Sequence, residues 1–182
     1  MTKRNIRINR RWFLQSIACA SAGLIVSPSL LAANHQAREL AFVHTHTGER
    51  LKIQYSDEYG YLPDGLAEIN YFLRDFRTGD VHPIDTGLLD ILNELRQGMS
   101  KSGVFEVISG YRSPKTNESL RANGRGVAKH SLHMQGRAID IRLTGVDTSK
   151  LRNYCISMER GGVGYYQKSD FIHVDTGRVR SW

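Results

Sequence analysis

The chain has 182 residues, 25 Lys and Arg against 18 Asp and Glu, a formal net charge of +7 and a hydrophobic fraction of 40%. Five of the basic residues (Lys3, Arg4, Arg7, Arg10 and Arg11) fall before residue 34 in a stretch without acids, so 20 basic and 18 acidic residues remain, a net of about +2. So even a balance, with no basic run interleaved with aromatics, excludes a nucleic-acid footprint, and a remainder of about 150 residues suits one domain with a single core.

The chain opens with an address. Asn9-Arg10-Arg11-Trp12-Phe13-Leu14-Gln15 resembles a twin-arginine export signal, followed by an apolar stretch from Ser16 to Leu31 and by Ala32-Ala33. Gly23 and Pro28 interrupt the stretch, which is short for a membrane span. The expectation is a signal peptide over 1–33, cleavage after Ala33, and a domain over 34–182 exported to the periplasm with no membrane span of its own. Cys19 leaves with the signal, so Cys155 remains alone and no intramolecular disulfide forms.

Leu40–Thr45 and Arg50–Tyr55 flank Thr47-Gly48 as a hairpin. Pro63-Asp64 opens a helix whose apolar face is Leu66, Ile69, Phe72, Leu73 and Phe76. A second helix carries Leu88, Leu89, Ile91, Leu92, Leu95 and Met99, with Asp85 or Thr86 as N-cap. Val104–Ile108 reads as a strand, Asn117–Asn123 as a short helix and Ala138–Leu143 as another strand. Asp147 or Thr148 caps a helix running to Arg160, which Gly161-Gly162 ends. Cys155 shares that helix's apolar pattern with Leu151, Tyr154 and Met158, which suits a buried small hydrophobe and not a nucleophile. Val163–Gln167 and Phe171–Asp175 form a hairpin across 168–170. The mixed order predicts an α+β fold with a small, largely antiparallel sheet and flanking helices.

The chemistry gathers in the last third. His133 lies seven residues before Asp140, in Ser131-Leu-His133-Met-Gln-Gly136-Arg-Ala138-Ile-Asp140, and His173 sits in Asp170-Phe-Ile-His173-Val-Asp175. Alternation puts Ile139, Ile141 and Leu143 on one face of the first strand and Asp140 on the other; in the second, Ile172 and Val174 oppose Phe171, His173 and Asp175. If both strands bury their aliphatic faces in one core, Asp140 and His173 project from the same side of one sheet. Gly136 permits the bend that brings His133 over Asp140. Two imidazoles and one carboxylate are a three-ligand set for Zn²⁺ with a fourth position open, the arrangement of hydrolytic zinc sites.

The pattern Ser-x-His-(x)6-Asp, then His some thirty residues on, resembles the zinc peptidases that include D-alanyl-D-alanine dipeptidases and carboxypeptidases, phage endolysins and the hedgehog domain. Within them the chain is most similar to the murein endopeptidase K family of the Gram-negative periplasm. Tyr71-Phe-Leu-Arg-Asp-Phe, Ser109-Gly-Tyr-Arg112-Ser, Arg125-Gly-Val-Ala-Lys, Gly161-Gly-Val-Gly-Tyr-Tyr and His173-Val-Asp-Thr-Gly carry the likeness over nearly the whole exported chain. The resemblance implies a hedgehog and D-Ala-D-Ala-peptidase type of fold, a Zn²⁺ cofactor and peptidoglycan stem peptides as substrate. It implies cleavage of meso-diaminopimelate–meso-diaminopimelate cross-links, with D-alanyl–meso-diaminopimelate links as a second target. Two rivals are a D-alanyl carboxypeptidase and a catalytically silent wall-binding domain.

Roles follow for single residues. His133, Asp140 and His173 are the metal ligands. Related peptidases place a Glu three residues before the last His; Asp170 stands there, one methylene shorter, and Asp175, on the face of His173, is the rival and slightly favoured proton acceptor, or else an outer partner that orients His173. Arg112 suits a tetrahedral oxyanion or a substrate carboxylate. Ser131 and Tyr165 are candidate substrate contacts, with one of Tyr165 and Tyr166 facing the core by alternation. His130 reads as a solvated imidazole near His133, and His44 with His46 as a pair on a surface strand. The residues indicate no oligomeric state.

Overall fold

The computed structural model describes residues 37–100, 102–124 and 126–182, so the expected export signal over 1–33 lies outside the described residues. Strands alternate as their apolar spacing dictates: β1 (Arg38–His44), β2 (Arg50–Asp57), β3 (Gly60–Tyr61), β4 (Phe105–Ser109), β5 (Ala138–Leu143), β6 (Gly162–Tyr166), β7 (Phe171–Asp175) and β8 (Arg180–Ser181). They form one sheet in the order β3-β2-β1-β4-β5-β7-β6-β8. The pairs β1–β4 and β6–β8 are parallel and the rest antiparallel. The fold is therefore α+β on a largely antiparallel sheet, as the sequence predicts.

Among the described residues four α-helices complete it: α1 (Pro63–Phe72), α2 (Thr86–Met99), α3 (Pro114–Ala122) and α4 (Thr148–Ser157). Caps set their starts. The Asp85 carboxylate accepts from the N–H of Gly87, the Ser113 hydroxyl from Thr116, and the Asp147 carboxylate from Ser149 and Lys150. Pro63 and Pro114 occupy first-turn positions, where a missing N–H costs nothing. Leu88, Leu92 and Leu95 of α2, Leu151 and Cys155 of α4, and Ile69 and Phe72 of α1 pack on Leu40, Phe42, Ile139, Ile141, Ile172 and Val174 of the sheet. No described helix is long and apolar enough to cross a membrane.

Several boundaries differ from the sequence reading. The helix α3 begins at Pro114 and not Asn117, because the Ser113 cap and the proline start it earlier. The helix α4 stops at Ser157, ahead of Arg160, and Glu159 then takes a left-handed φ of 52°. Gly161 and Gly162 are needed beyond the helix for close approach, since a Cβ on Gly161 would stand 1.8 Å from the carbonyl oxygen of Asp175. Phe76 lies past the end of α1 and stacks on His46. The strands β3 and β8, two residues each, are too short to leave a period.

The contact of α1 with β2 yields a sign that propensity alone gets wrong. Gly65 lies in the first turn of α1, where a Cβ would meet the Gln54 carbonyl oxygen at 2.4 Å and the Tyr55 Cα at 3.2 Å. Gly to Ala in a helix ordinarily stabilises by up to about 1 kcal/mol, but backbone overpacking costs about 1–3 kcal/mol. Gly65→Ala is expected to lower the denaturant midpoint; a rise would show that α1 can move away from β2.

Candidate metal centre

The pairing of β5 with β7 sets Asp140 directly opposite His173, flanked by the core pairs Ile139↔Val174 and Ile141↔Ile172. Their aliphatic neighbours face the helices, so carboxylate and imidazole share the other face. His133 arrives from a 3-10 turn over Leu132–Gln135. The Ser131 hydroxyl accepts from the His133 backbone N–H at 3.4 Å and starts the turn. Gly136 ends it at φ 65°, where a Cβ would stand 2.1 Å from the Pro83 carbonyl oxygen.

The three residues offer one atom each to a common point. His133 Nε2 lies 3.2 Å from His173 Nδ1 and 3.3 Å from Asp140 Oδ1, and His173 Nδ1 lies 2.9 Å from Asp140 Oδ1. Ligand atoms about 2.0–2.1 Å from a tetrahedral zinc ion stand roughly 3.3–3.4 Å from one another, so the triangle matches such an ion to a few tenths of an ångström. All three residues are buried.

The far side of each imidazole is fixed. His133 Nδ1–H donates to the Gly110 carbonyl at 2.8 Å, which leaves its Nε2 lone pair facing the centre. His173 Nε2–H donates to Asp175 Oδ2 at 3.0 Å and so directs Nδ1 inward. Such outer partners set tautomer and ring angle in metal sites. Asp175, fully buried, also accepts from the backbone N–H groups of Gly162 and Gly177 and from both terminal nitrogens of Arg180. The loop bearing His133 is tied to that of Arg112, whose N–H donates to the His133 carbonyl at 3.1 Å.

Protonation follows from this arrangement. Burial pushes the His133 imidazolium down, so it is neutral at neutral pH. Burial acts on His173 in the same direction, but bonds to Asp140 and Asp175 outweigh it and raise its pKa to about 9. Burial disfavours the Asp140 and Asp175 carboxylates, yet the hydrogen bonds and charges around them hold both well below the ordinary range. Without metal, the centre therefore contains a proton on His173 Nδ1, between a carboxylate oxygen and a neutral imidazole nitrogen. Two nitrogen donors and an anionic oxygen converging on one proton are a set that a divalent cation fits by displacing it.

The centre opens into a cleft of about 810 Å³. Arg112 lines it, buried, with a terminal nitrogen 3.7 Å from Asp140 Oδ2 and an Nε that has no hydrogen-bond partner among the described residues. Burial pushes its pKa down, opposed by Asp140. Ser131 and the exposed His130 line the cleft as well. Asp140 and Asp175 are the only Asp or Glu residues in its described lining.

Other candidates fall elsewhere. Asp170 is exposed at the hairpin tip at φ 51°, and its carboxylate accepts from the Thr148 hydroxyl at 2.6 Å, at the start of α4. Tyr165 pairs with Ile172 on the helical face, beneath the Arg152 guanidinium; Tyr166 takes the cleft side. Cys155 is buried, its thiol pushed up to about 12 by burial. His44 departs from the surface-strand expectation: it is buried, edge-on to Phe72 and Phe76, because β1 is an interior strand of the sheet.

The sequence reading missed Trp182. Its ring lies 5.3 Å from that of His173 and lines the cleft, with its Nε1–H donating to the Tyr166 hydroxyl at 3.4 Å and Arg180 over its face. Gly164 makes the room, since a Cβ there would stand 2.7 Å from the indole. Only the pairing of β8 with β6 brings Trp182 there, so local periodicity held no signal for it.

Donors converging beside an open cleft, on the sheet face opposite the core packed by α1, α2 and α4, place the molecule among the metallopeptidases. Comparison with known proteins narrows the class: residues 32–182 match the family model described as peptidoglycan L,D-endopeptidase MepK, and the chain belongs to this family. It is similar to the peptidoglycan L,D-endopeptidase MepK of Escherichia coli K12, with 40% identity over 176 residues, 96% of this chain and 97% of the relative. A probable peptidoglycan L,D-endopeptidase MepK of Haemophilus influenzae is likewise 40% identical, over 95% of this chain and 94% of the relative. No solved structure matches the chain.

A pH dependence follows for chelator-treated protein. The folded His173 pKa of about 9 lies above the unfolded value of about 6.5. A raised value means that the imidazolium stabilises the fold fully below pH 6.5 and that this contribution is lost as pH rises through 9. In chelator, the urea midpoint is expected to fall between pH 6.5 and 9, and His173→Gln is expected to remove that fall. A flat wild-type profile would show that His173 is neutral in the metal-free fold.

Proposed function

We propose that the chain is a zinc-dependent peptidoglycan endopeptidase that hydrolyses the peptide cross-links between stem peptides, acting in the periplasm after export by its twin-arginine signal. The observation that carries this is the His133–Asp140–His173 triangle of 2.9–3.3 Å opening into a cleft, in a chain 40% identical to endopeptidases over nearly its whole length. The names of those relatives support L,D cross-links, those between two meso-diaminopimelate residues, as the preferred bond.

In this reading His133 Nε2, His173 Nδ1 and one oxygen of Asp140 hold the ion. A zinc ion there supplies Lewis acidity toward a peptide carbonyl and lowers the pKa of water to about 7. The chain's own residues do the rest. Gly110 and Asp175 lock the two imidazole tautomers. Arg112, buried and with an Nε that has no hydrogen-bond partner among the described residues, presents positive charge where a carbonyl oxygen becomes an oxyanion. Ser131 holds the turn that carries His133. Asp175 acts as a positioning residue: five N–H donors already bind its carboxylate, which makes it a poor proton acceptor. Asp170 would have to leave Thr148 to reach the cleft.

Zinc-loaded protein lacking residues 1–33, incubated with sacculi carrying both cross-link types, is expected to convert cross-linked dimers to monomers, with L,D-linked dimers consumed first. Chelation or His133→Ala is expected to abolish this. Intact dimers with shortened stems would instead mark a carboxypeptidase, and retention on sacculi without products a binding domain. The two aspartates separate in a second experiment. Asp175→Asn is expected to weaken zinc affinity by about 10–100-fold. Asp170→Asn is expected to leave zinc affinity unchanged and to cost only about 1 kcal/mol for the lost Thr148 bond. Equal losses of zinc affinity would overturn the positioning role of Asp175.

A further inference from the structure

One buried carboxylate outside the metal centre ties two arginine-bearing loops together. Asp75, 1% exposed, accepts from the Arg77 backbone N–H at 3.0 Å through one oxygen and from the Ser113 backbone N–H at 2.9 Å through the other. It also closes its own turn, taking the Gly79 N–H on its carbonyl and donating its N–H to Asp80. Arg77 and Arg112, the neighbour of Ser113, are thereby fixed on the lining of one cleft.

Their charges are under-matched. The cleft's other arginines have partners: Arg142 pairs with Glu106 and Arg180 with Asp175. Arg112 has only Asp140, at 3.7 Å, and that carboxylate belongs to the metal triangle. Arg77 has no ion pair among the described residues; its guanidinium rests on the Phe76 ring at 4.1 Å. Phe76 in turn stacks on His46, with centroids 4.5 Å apart and planes 15° apart. Asp75 offsets part of the charge from beneath, but N–H donors of the two loops occupy both its oxygens. The two guanidinium groups are close enough that Arg77 disfavours the charged form of Arg112. Two cations beside a cleft whose described lining holds no Asp or Glu left over to pair with Arg77 call for an anion brought by the ligand.

We propose that Arg77, seated on the Phe76–His46 stack, binds a free carboxylate of the cross-linked peptide and so sets substrate preference. This rests on the endopeptidase reading above. A cross-link made through the side-chain amine of meso-diaminopimelate leaves a free carboxylate on the carbon bonded to the scissile nitrogen. A guanidinium matches that group with paired N–H donors, which frees Arg112 for the developing oxyanion.

The test compares two soluble cross-linked muropeptide dimers that differ only in this group, as free carboxylate or as carboxamide. Charge-assisted hydrogen bonds contribute enough for a change of about tenfold or more in KM. Wild type is expected to show a KM roughly tenfold lower for the acid than for the amide. Arg77→Ala is expected to raise KM for the acid to that of the amide, with a clearly smaller change on the amide and zinc content retained, and Arg77→Lys to restore part of the preference. Equal KM for both dimers in wild type, or an equal loss on both in Arg77→Ala, would overturn the assignment. Wild type that cleaves neither dimer would overturn the endopeptidase reading and this assignment with it.

Discussion

The register of β5 against β7 is the constraint on which the rest depends. Asp140 faces His173 only because Ile139 pairs with Val174 and Ile141 with Ile172. Strand side chains alternate with a period of two, so a slip by one residue would move the carboxylate into the apolar core and the aliphatic groups onto the cleft. The hydrophobic core thus acts as the jig for the candidate metal centre. Burial of these aliphatic side chains contributes about 1.5–3 kcal/mol each, and the same burial fixes which atoms converge on the other face.

His133 needs a different device because it is not on the sheet. Its place is set by three backbone features: the Ser131 start of a 3-10 turn, the left-handed Gly136 packed against Pro83, and the exchange with the neighbouring loop in which the Gly110 carbonyl accepts its ring N–H and its own carbonyl accepts the Arg112 N–H. The ligand loop and the arginine loop therefore move as one piece. Asp75 extends the same piece to Arg77. Precision in the cleft comes from buried backbone bonding, which holds positions that loops alone would leave loose.

The sequence made the strands and the two-faced alternation legible because both are local. Ile139, Ile141, Ile172 and Val174 announce the core face, and Asp140 and His173 follow by parity. Caps at Asp85 and Asp147 were legible for the same reason. What lay hidden is non-local. The parallel β6–β8 pairing that carries Trp182 to His173 and the fate of Asp170, turned to Thr148 on the helical side, depend on contacts across long stretches of chain. Tyr165 and Tyr166 illustrate the boundary: alternation says that one faces the core, but only the pairing of Tyr165 with Ile172 says which.

The charge pattern explains why a centre this buried is still suited to a cation. Asp140 and Asp175 bracket His173, and together they favour the protonated imidazole that fills the middle of the triangle in the metal-free fold. A divalent ion held by His133, Asp140 and His173 would take the place of that proton and keep the positive charge that the two carboxylates require. Arg180 balances Asp175 from behind, so the charge of the outer carboxylate is matched while it orients His173. The positive surplus is left on the cleft side, with Arg112 and Arg77. Behind the triangle the charges are closed; on the cleft side they are open, and in the proposed reading that asymmetry would direct an anionic peptide toward the cleft.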